Sequence, residues 1–256
     1  MKLAGRVAVV TGASRGLGRV IALALAEEGA DLVLVARRHG SLAEVESEMR
    51  SRNARFKSLT ADLSQDTEVA TVVSSVLQEF GKADILINNA AVQGPTKAVH
   101  EISVASWQEV LAVDLTAPFL CIRAFSPSMI ARKTGSIVNV SSTAAINGVA
   151  LRSPYCSAKM GLIGLTKALA PELGPSGVRV NAICPGPMPS PAVEAVVLDR
   201  SRQTGRSYEL LLERTLRSPS LERPIAMNEV ASAVVFLASD DSSAITGQVI
   251  TAAGGG

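Results

Sequence analysis

Short apolar runs alternate with longer helix-like stretches along nearly the whole chain, and that order leaves few folds open. Val7–Val10, Leu32–Val35, Phe56–Ala61, Ile85–Ile87, Ile137–Val140 and Val178–Ile183 read as strands. Arg19–Glu28, Leu42–Arg52, Thr67–Phe80, Val104–Ala131 and Ala158–Leu173 read as the helices between them. Repeated strand-then-helix order argues for an α/β chain: a doubly wound parallel sheet with helices on both faces, forming one domain over residues 1–256. Aromatic residues make up only 3% of the sequence, so Ala, Val, Leu and Ile do the packing, as suits buried parallel strands. One stretch breaks the rhythm. From Pro185 to about Pro224 the chain is proline-rich and then charged, too long for an ordinary αβ connection. The expectation there is a substrate lid at about 186–223, not a second domain.

Composition excludes several functions. A formal charge of +2 without a dense Lys/Arg block gives no footprint for nucleic acid. No uninterrupted apolar stretch reaches the roughly 20 residues that cross a bilayer. Met1–Arg6 runs straight into a strand-like segment, which leaves no room for a signal peptide. Cys121, Cys156 and Cys184 are odd in number, far apart and without metal-ligand spacing, so free thiols in a reducing cytoplasm and no metal are expected. His39 and His100 have no evident catalytic partner and read as surface residues. Trp107, with Ile102 and Leu111, has the spacing of a packing face.

The first strand enters Thr11-Gly12-Ala13-Ser14-Arg15-Gly16-Leu17-Gly18, and a helix follows at once. In that context a glycine pattern signals a dinucleotide site and a Rossmann-type sheet. Gly12 permits the tight turn, Gly16 the approach of backbone to a pyrophosphate, and Gly18 close helix packing. The helix N-terminus offers unpaired N–H groups and the positive end of its dipole. After the second strand, where an NAD site usually places an acid, stands Ala36, followed by Arg37 and Arg38. Arg37 with Arg15 suits a 2′-phosphate, which points to NADP over NAD; Arg38 reads as a solvated loop charge. Asp62, closing the third strand, either hydrogen-bonds the adenine amino group or is a plain turn residue.

Tyr155 and Lys159 lie one helical turn apart, after a Pro154 that suits a helix start. A phenol is a poor acid–base group at neutral pH, with an ordinary pKa of about 10. An ammonium on the same helix face stabilises the phenolate and fits the phenol for proton exchange with a carbinol or carbonyl oxygen. Ser142 ends the fifth strand, at the carboxyl edge where ligands of doubly wound sheets collect.

These motifs, in this order, resemble the short-chain dehydrogenase/reductase family over essentially the whole chain. Asn88-Asn89-Ala90-Ala91 is similar to its NNAG segment, with alanine for the last glycine. The resemblance implies that Asn88 ties neighbouring strands together and that Ser142, Tyr155 and Lys159 are catalytic. It implies cofactor contacts at Gly12, Ser14, Arg15, Gly16, Leu17, Gly18, Arg37, Asp62, Leu63, Asn89, Ala90, Tyr155, Lys159, Pro185, Gly186 and Ser190. The activity implied is hydride transfer between NADP (or NAD) and a secondary alcohol or ketone of 3-oxoacyl, sugar or hydroxy-acid type, in a homo-oligomer, tetramer or dimer. Two departures stand out. Asp114 occupies the place of a helix-kinking asparagine that holds a relay water, and the end reads Ala252-Ala253-Gly254-Gly255-Gly256 without the usual aspartate. Asp114 either joins the relay, pairing with Lys159 through water, or only kinks the helix.

Two other readings remain. A nucleotide-binding sensor or scaffold with weak or no turnover is favoured only by Asp114. A nucleotide-sugar epimerase or dehydratase uses the same Tyr–Lys pair, but about 70 residues after Pro185 leave little room for its larger substrate domain. In the lid, Arg200, Arg202, Arg206, Arg214 and Arg217 form either a solvated face or an anion-recognising set, and Met188, Val193, Val197 and Leu198 suit an apolar pocket.

Overall fold

The computed structural model describes residues 1–217 and 220–255. Ser218 and Pro219, within the expected lid, and the closing Gly256 lie outside the described residues. In chain order the elements are β1 (Val7–Thr11), α1 (Gly16–Glu27), β2 (Asp31–Ala36), α2 (Ala43–Ser51), β3 (Phe56–Thr60), α3 (Asp66–Phe80) and β4 (Ile85–Asn88). Next come α4 (Val104–Leu111), a π-helical turn (Ala112–Thr116), α5 (Ala117–Arg132), β5 (Gly135–Val140), α6 (Thr143–Asn147), α7 (Ser153–Leu173) and β6 (Val178–Pro185). The chain closes with α8 (Pro191–Thr204), α9 (Tyr208–Leu216), α10 (Met227–Ala238) and β7 (Val249–Ala252).

All seven strands are parallel, in the order β3-β2-β1-β4-β5-β6-β7. Strand order reverses between β1 and β4, which opens a crevice at the carboxyl ends of the strands. Alternate strand residues face opposite layers, so each β-strand feeds two cores. Ala8, Val10, Leu32 and Leu34 meet Ile21, Leu25, Val45 and Val234 of α1, α2 and α10. Val7, Val9, Val33 and Val35 meet Val69, Val76, Phe125 and Met129 of α3 and α5. Only one aromatic residue, Phe125, stands among the largest fully buried side chains of the described residues, as the composition implied.

The structure departs from the sequence reading in three places. The expected Val104–Ala131 helix is broken by the π-helical turn around Asp114. A wider turn shifts the helical register, so the faces of α4 and α5 do not continue one another. Helix α4 therefore buries Val110 and leaves Trp107 at 37% exposure, so Trp107 is not the packing residue its spacing suggested. Helix α10 and β7, which periodicity did not single out, complete one layer and one edge of the sheet. The stretch after β6 folds into α8 and α9, each with one buried residue, Val197 and Leu211. The helical run Val104–Arg132 is long and apolar enough to span a membrane, yet its most apolar part is 50% buried, and Phe125 and Met129 lie within the core.

Candidate active site

At the head of the crevice, the glycine-rich turn joins β1 to α1. Gly12 has a φ of +66°, and a side chain there would sit 2.8 Å from the Ala90 Cα. A Cβ on Gly18 would fall 2.2 Å from the Gly12 carbonyl oxygen. Gly16 differs: no protein atom lies within 4 Å of where its Cβ would stand. The first turn of α1 carries no acidic residue and its N-cap makes no side-chain hydrogen bond. Open space at Gly16, uncapped N–H groups and the positive helix end together fit a dinucleotide pyrophosphate. Ser14 is half-buried in this turn and Leu17 packs beneath it.

The turn is held from the side by β4. The Thr11 hydroxyl donates to the Ile87 carbonyl at 3.2 Å and accepts from the Asn89 and Ala90 N–H groups at 2.9 and 3.0 Å. Asn89 returns its amide to the Thr11 carbonyl at 2.9 Å. Asn88 donates to Asn139 Oδ1 at 2.9 Å, and Asn139 donates to the Thr166 hydroxyl at 2.9 Å, tying β4 to β5 and on to α7. Ala91, where the resembling motif has glycine, is exposed.

Arg15 and Arg37 are exposed beside the buried end of β2 at Ala36, and neither makes an ion pair among the described residues. Asp62 accepts at Oδ1 from the Ser64 N–H at 3.0 Å and the Ser64 hydroxyl at 2.7 Å, so this oxygen serves the turn. Leu63 beside it is buried.

On the opposite wall, Tyr155 and Lys159 stand on the first turns of α7. The Lys159 ammonium, 2% exposed, donates to the Val140 carbonyl at 3.1 Å and lies 5.8 Å from the centre of the Tyr155 ring. The Tyr155 hydroxyl has no hydrogen bond among the described residues. Ser142 caps α6, its Oγ accepting from the Ala144 N–H at 3.1 Å, which leaves the hydroxyl hydrogen free to donate. Ser141, its neighbour, donates to the Lys159 carbonyl at 2.8 Å and fixes β5 against α7.

Asp114 is fully buried in the π-helical turn. Oδ1 accepts from the Val92 N–H at 2.8 Å, and Oδ2 lies 3.6 Å from the Lys159 ammonium with no hydrogen bond of its own. This places the carboxylate and the ammonium within ion-pair distance of each other. Burial pushes this carboxyl above the usual carboxylate range, against the opposing pull of Lys159, the Val92 N–H and Arg152.

Arg152 and Gln93 escaped the sequence reading. Arg152 is 4% exposed, stacks 4.9 Å from the centre of the Tyr155 ring, and donates from Nη2 to Gln93 Oε1 at 2.5 Å. Burial pushes it below the usual guanidinium value. Leu151 before it holds a φ of +69°, a left-handed conformation costing a residue with a Cβ about 1 kcal/mol. A hydrogen bond from the Lys97 N–H to the Leu151 carbonyl, at 3.0 Å, holds that segment against the loop carrying Gln93. An arginine three residues before the tyrosine was the one available signal.

The remaining expected residues divide. Gly186 lies against β7, its N–H donating to the Ala252 carbonyl at 3.1 Å, and the Pro185 carbonyl accepts from Thr143 at 3.3 Å. Ser190 caps α8, its hydroxyl accepting from the Val193 N–H at 3.3 Å and donating to the Met188 carbonyl at 3.2 Å. After β6, Arg202, Arg206, Arg214 and Arg217 are exposed and Arg200 is half-buried; Val197 is buried but Leu198 is 39% exposed. Burial pushes the Cys121 thiol up to about 12 and raises Cys184, so neither is a ready nucleophile.

A family model described as enoyl-(acyl carrier protein) reductase matches residues 12–256. D-beta-hydroxybutyrate dehydrogenase of Rhizobium meliloti (strain 1021) is 36% identical, with 98% of each chain covered. The crystal structure of NAD+-bound xylitol dehydrogenase superposes with a TM-score of 0.96 at 33% identity, covering 100% of both chains. A variant of actinorhodin polyketide ketoreductase, crystallised with NADPH, gives a TM-score of 0.92 at 33% identity, covering 97% of this chain and 96% of that one.

Proposed function

Because the chain belongs to the short-chain dehydrogenase/reductase family and is an oxidoreductase acting on CH–OH groups, we propose that it interconverts a secondary alcohol and a ketone. NADP is the preferred cofactor and Tyr155 the acid–base group. The observation that carries this reading is the pairing at the sheet edge: a phenol whose hydroxyl has no hydrogen bond among the described residues, beside the buried Lys159 ammonium. A nicotinamide cofactor, when bound, supplies or accepts the hydride. In reduction the Tyr155 O–H gives its proton to the substrate oxygen, while the Ser142 O–H donates a hydrogen bond to that oxygen and orients it. The phenolate left behind is stabilised by Lys159 and regains its proton from solvent. Oxidation runs the same transfers in reverse.

The residues of the glycine-rich turn would hold the pyrophosphate, Arg15 and Arg37 a 2′-phosphate, and Asp62 the adenine through its remaining oxygen. Leu63, Asn89 and Ala90 would line the adenosine side, and Pro185 and Gly186 the nicotinamide side. Ser190 reaches a carboxamide only by sharing the hydroxyl that caps α8. The chain reads as one domain with a lid at 186–223, working in a reducing cytoplasm as a tetramer or dimer. The apolar groove between α5 and α7, lined by Leu115, Phe119 and Leu165, suits contact with a second copy. Replacing Tyr155 with Phe tests the chemistry. NADPH binding should persist while oxidation of NADPH by a ketone panel falls at least about a hundredfold, and retained turnover would overturn the proposal.

Asp114 supports a second reading, a NADP-binding sensor. Its carboxylate lies 3.6 Å from the Lys159 ammonium and, as a charged acceptor where the family has an amide, would hold that lysine and slow the proton relay. Binding of NADPH without absorbance loss across the ketone panel, with turnover appearing in Asp114→Asn, would favour it.

A further inference from the structure

Helices α8 and α9 follow the carboxyl end of β6 and pack on each other. Their buried residues, Val197 and Leu211, belong to neither of the two sheet cores. Burial therefore does little to fix where this segment stands, and its two ends carry that task. Both ends meet one short stretch, the tail of β7. At the first, the Gly186 N–H donates to the Ala252 carbonyl at 3.1 Å, and a Cβ on Gly186 would come within 2.9 Å of the Ala253 Cβ. This end adjoins the sheet edge that carries Ser142, since the Pro185 carbonyl accepts from Thr143 at 3.3 Å. At the second end, the Ser220 and Leu221 N–H groups donate to the Gly254 carbonyl at 3.0 and 3.2 Å, one oxygen serving both. The Ser220 hydroxyl donates to the Gly255 carbonyl at 3.4 Å. Gly254 and Gly255 hold φ of +70° and +97°, so the tail turns back onto Ser220 in a conformation that favours glycine. A Cβ on Gly255 would stand 2.2 Å from the Ser220 Oγ and 2.5 Å from the Ser220 Cβ. Beyond this end, Arg223 pairs with Glu229 of α10 at 2.7 Å and Ile225 is buried in the first core, which fixes the chain on that side.

Resting on the alcohol–ketone reading above, with α8 and α9 as its substrate lid, we infer that the Gly254–Gly255 tail is a clasp that holds the second end of the lid and thereby sets substrate affinity. Gly255 and Ser220 are positioning residues, acting on substrate only through the lid. With the clasp closed, the lid keeps one placement before substrate arrives. With it open, the lid samples others, and apparent affinity falls in proportion to the time spent in the binding-competent one. Bound substrate restores that placement, so turnover at saturation is spared. NADPH keeps its contacts at β1 and β2, which lie across the sheet from β7.

Gly255→Ala forces the tail and Ser220 apart, and Ser220→Gly removes the two atoms the new methyl would strike. Hydrogen exchange of the full chain with NADPH reads the lid directly. Amides of α8 and α9 should exchange about tenfold faster or more in Gly255→Ala. The double variant Gly255→Ala/Ser220→Gly should recover several-fold, short of wild type because the alanine keeps a left-handed φ. In parallel, NADPH oxidation with a panel of 2-oxo and 3-oxo esters should show KM raised about tenfold in Gly255→Ala, kcat within a few-fold, and the same recovery in the double variant. Should Gly255→Ala fail to fold, deletion of residues 254–256 opens the same clasp without adding an atom. Unchanged exchange in α8 and α9, no recovery with Ser220→Gly, or a KM that stays put while exchange rises would overturn this inference. Exchange that responds as expected, with no ester turned over even by wild type, would sink the alcohol–ketone reading and leave the clasp standing.

Discussion

The Asp114 carboxylate and the Lys159 ammonium lie 3.6 Å apart with side-chain exposures of 0% and 3%. Neither charge has water to fall back on, so each depends on the other. Burial dominates the carboxyl and raises it above its unfolded value. A raised carboxyl favours the folded state while protonated, and its contribution is lost as pH climbs through the folded value. Wild type should therefore lose stability relative to Asp114→Asn as pH rises from the ordinary carboxylate range. Paired melting curves over that pH series check the sign; a gap that stays flat or closes with pH would refute it.

Asp84 behaves in the opposite sense. Although burial pushes it up, the Val7 N–H at 2.9 Å, Arg132 at 2.6 Å and Lys82 at 3.1 Å together hold its carboxyl below the usual range. Its stabilisation is present above the ordinary carboxylate value and is lost as pH falls through the lower, folded one. Asp84→Ala should cost about 2 kcal/mol near neutrality, because Arg132 and Lys82 lose a charged hydrogen-bond partner while keeping partial access to solvent. Urea unfolding at neutral and acid pH measures both, and the wild-type advantage should shrink in acid.

On the proposed NADP reading, cofactor choice rests on Arg37: Ala36 before it is not an acid, so Arg37→Asp would remove a phosphate partner and install a hydroxyl acceptor. The ratio of kcat/KM for NADP over NAD should drop by about tenfold or more. Unchanged selectivity would show that the phosphate contact lies elsewhere.

The glycines of the first turn make separable predictions. At Gly18 an added methyl would stand 2.2 Å from a backbone oxygen and 2.4 Å from Asn89 Nδ2, so Gly18→Ala should destabilise the fold and weaken dinucleotide binding together. At Gly16 the methyl meets no protein, and its φ of +55° adds only about 1 kcal/mol of strain. Gly16→Ala should therefore fold and yet bind NADPH at least about tenfold more weakly, by fluorescence titration. Normal affinity in that variant would remove the pyrophosphate from this turn.

The strands, the glycine-rich turn and the Tyr155–Lys159 pair were legible because each depends on neighbours close in sequence. Gly12 and Gly18 could be assigned from spacing alone, since turn and packing needs are local. Asn88 was reached only through resemblance, and its bond to Asn139 spans 51 positions. Arg152 and Gln93 lie 59 positions apart, and nothing in either segment announces the other. The distortion at Asp114 was likewise reached only through resemblance, as the place of a helix-kinking asparagine, because periodicity averages over a helix and hides one wide turn. Strand β7 is four residues long and only half-buried, too brief for an alternating pattern to stand out.

Helices α8 and α9 touch the interior through little more than Val197 and Leu211. So lightly anchored a segment can be replaced at little cost to the sheet and its two cores. Under the proposed alcohol–ketone reading, new substrate ranges are thus reachable by rewriting one peripheral segment.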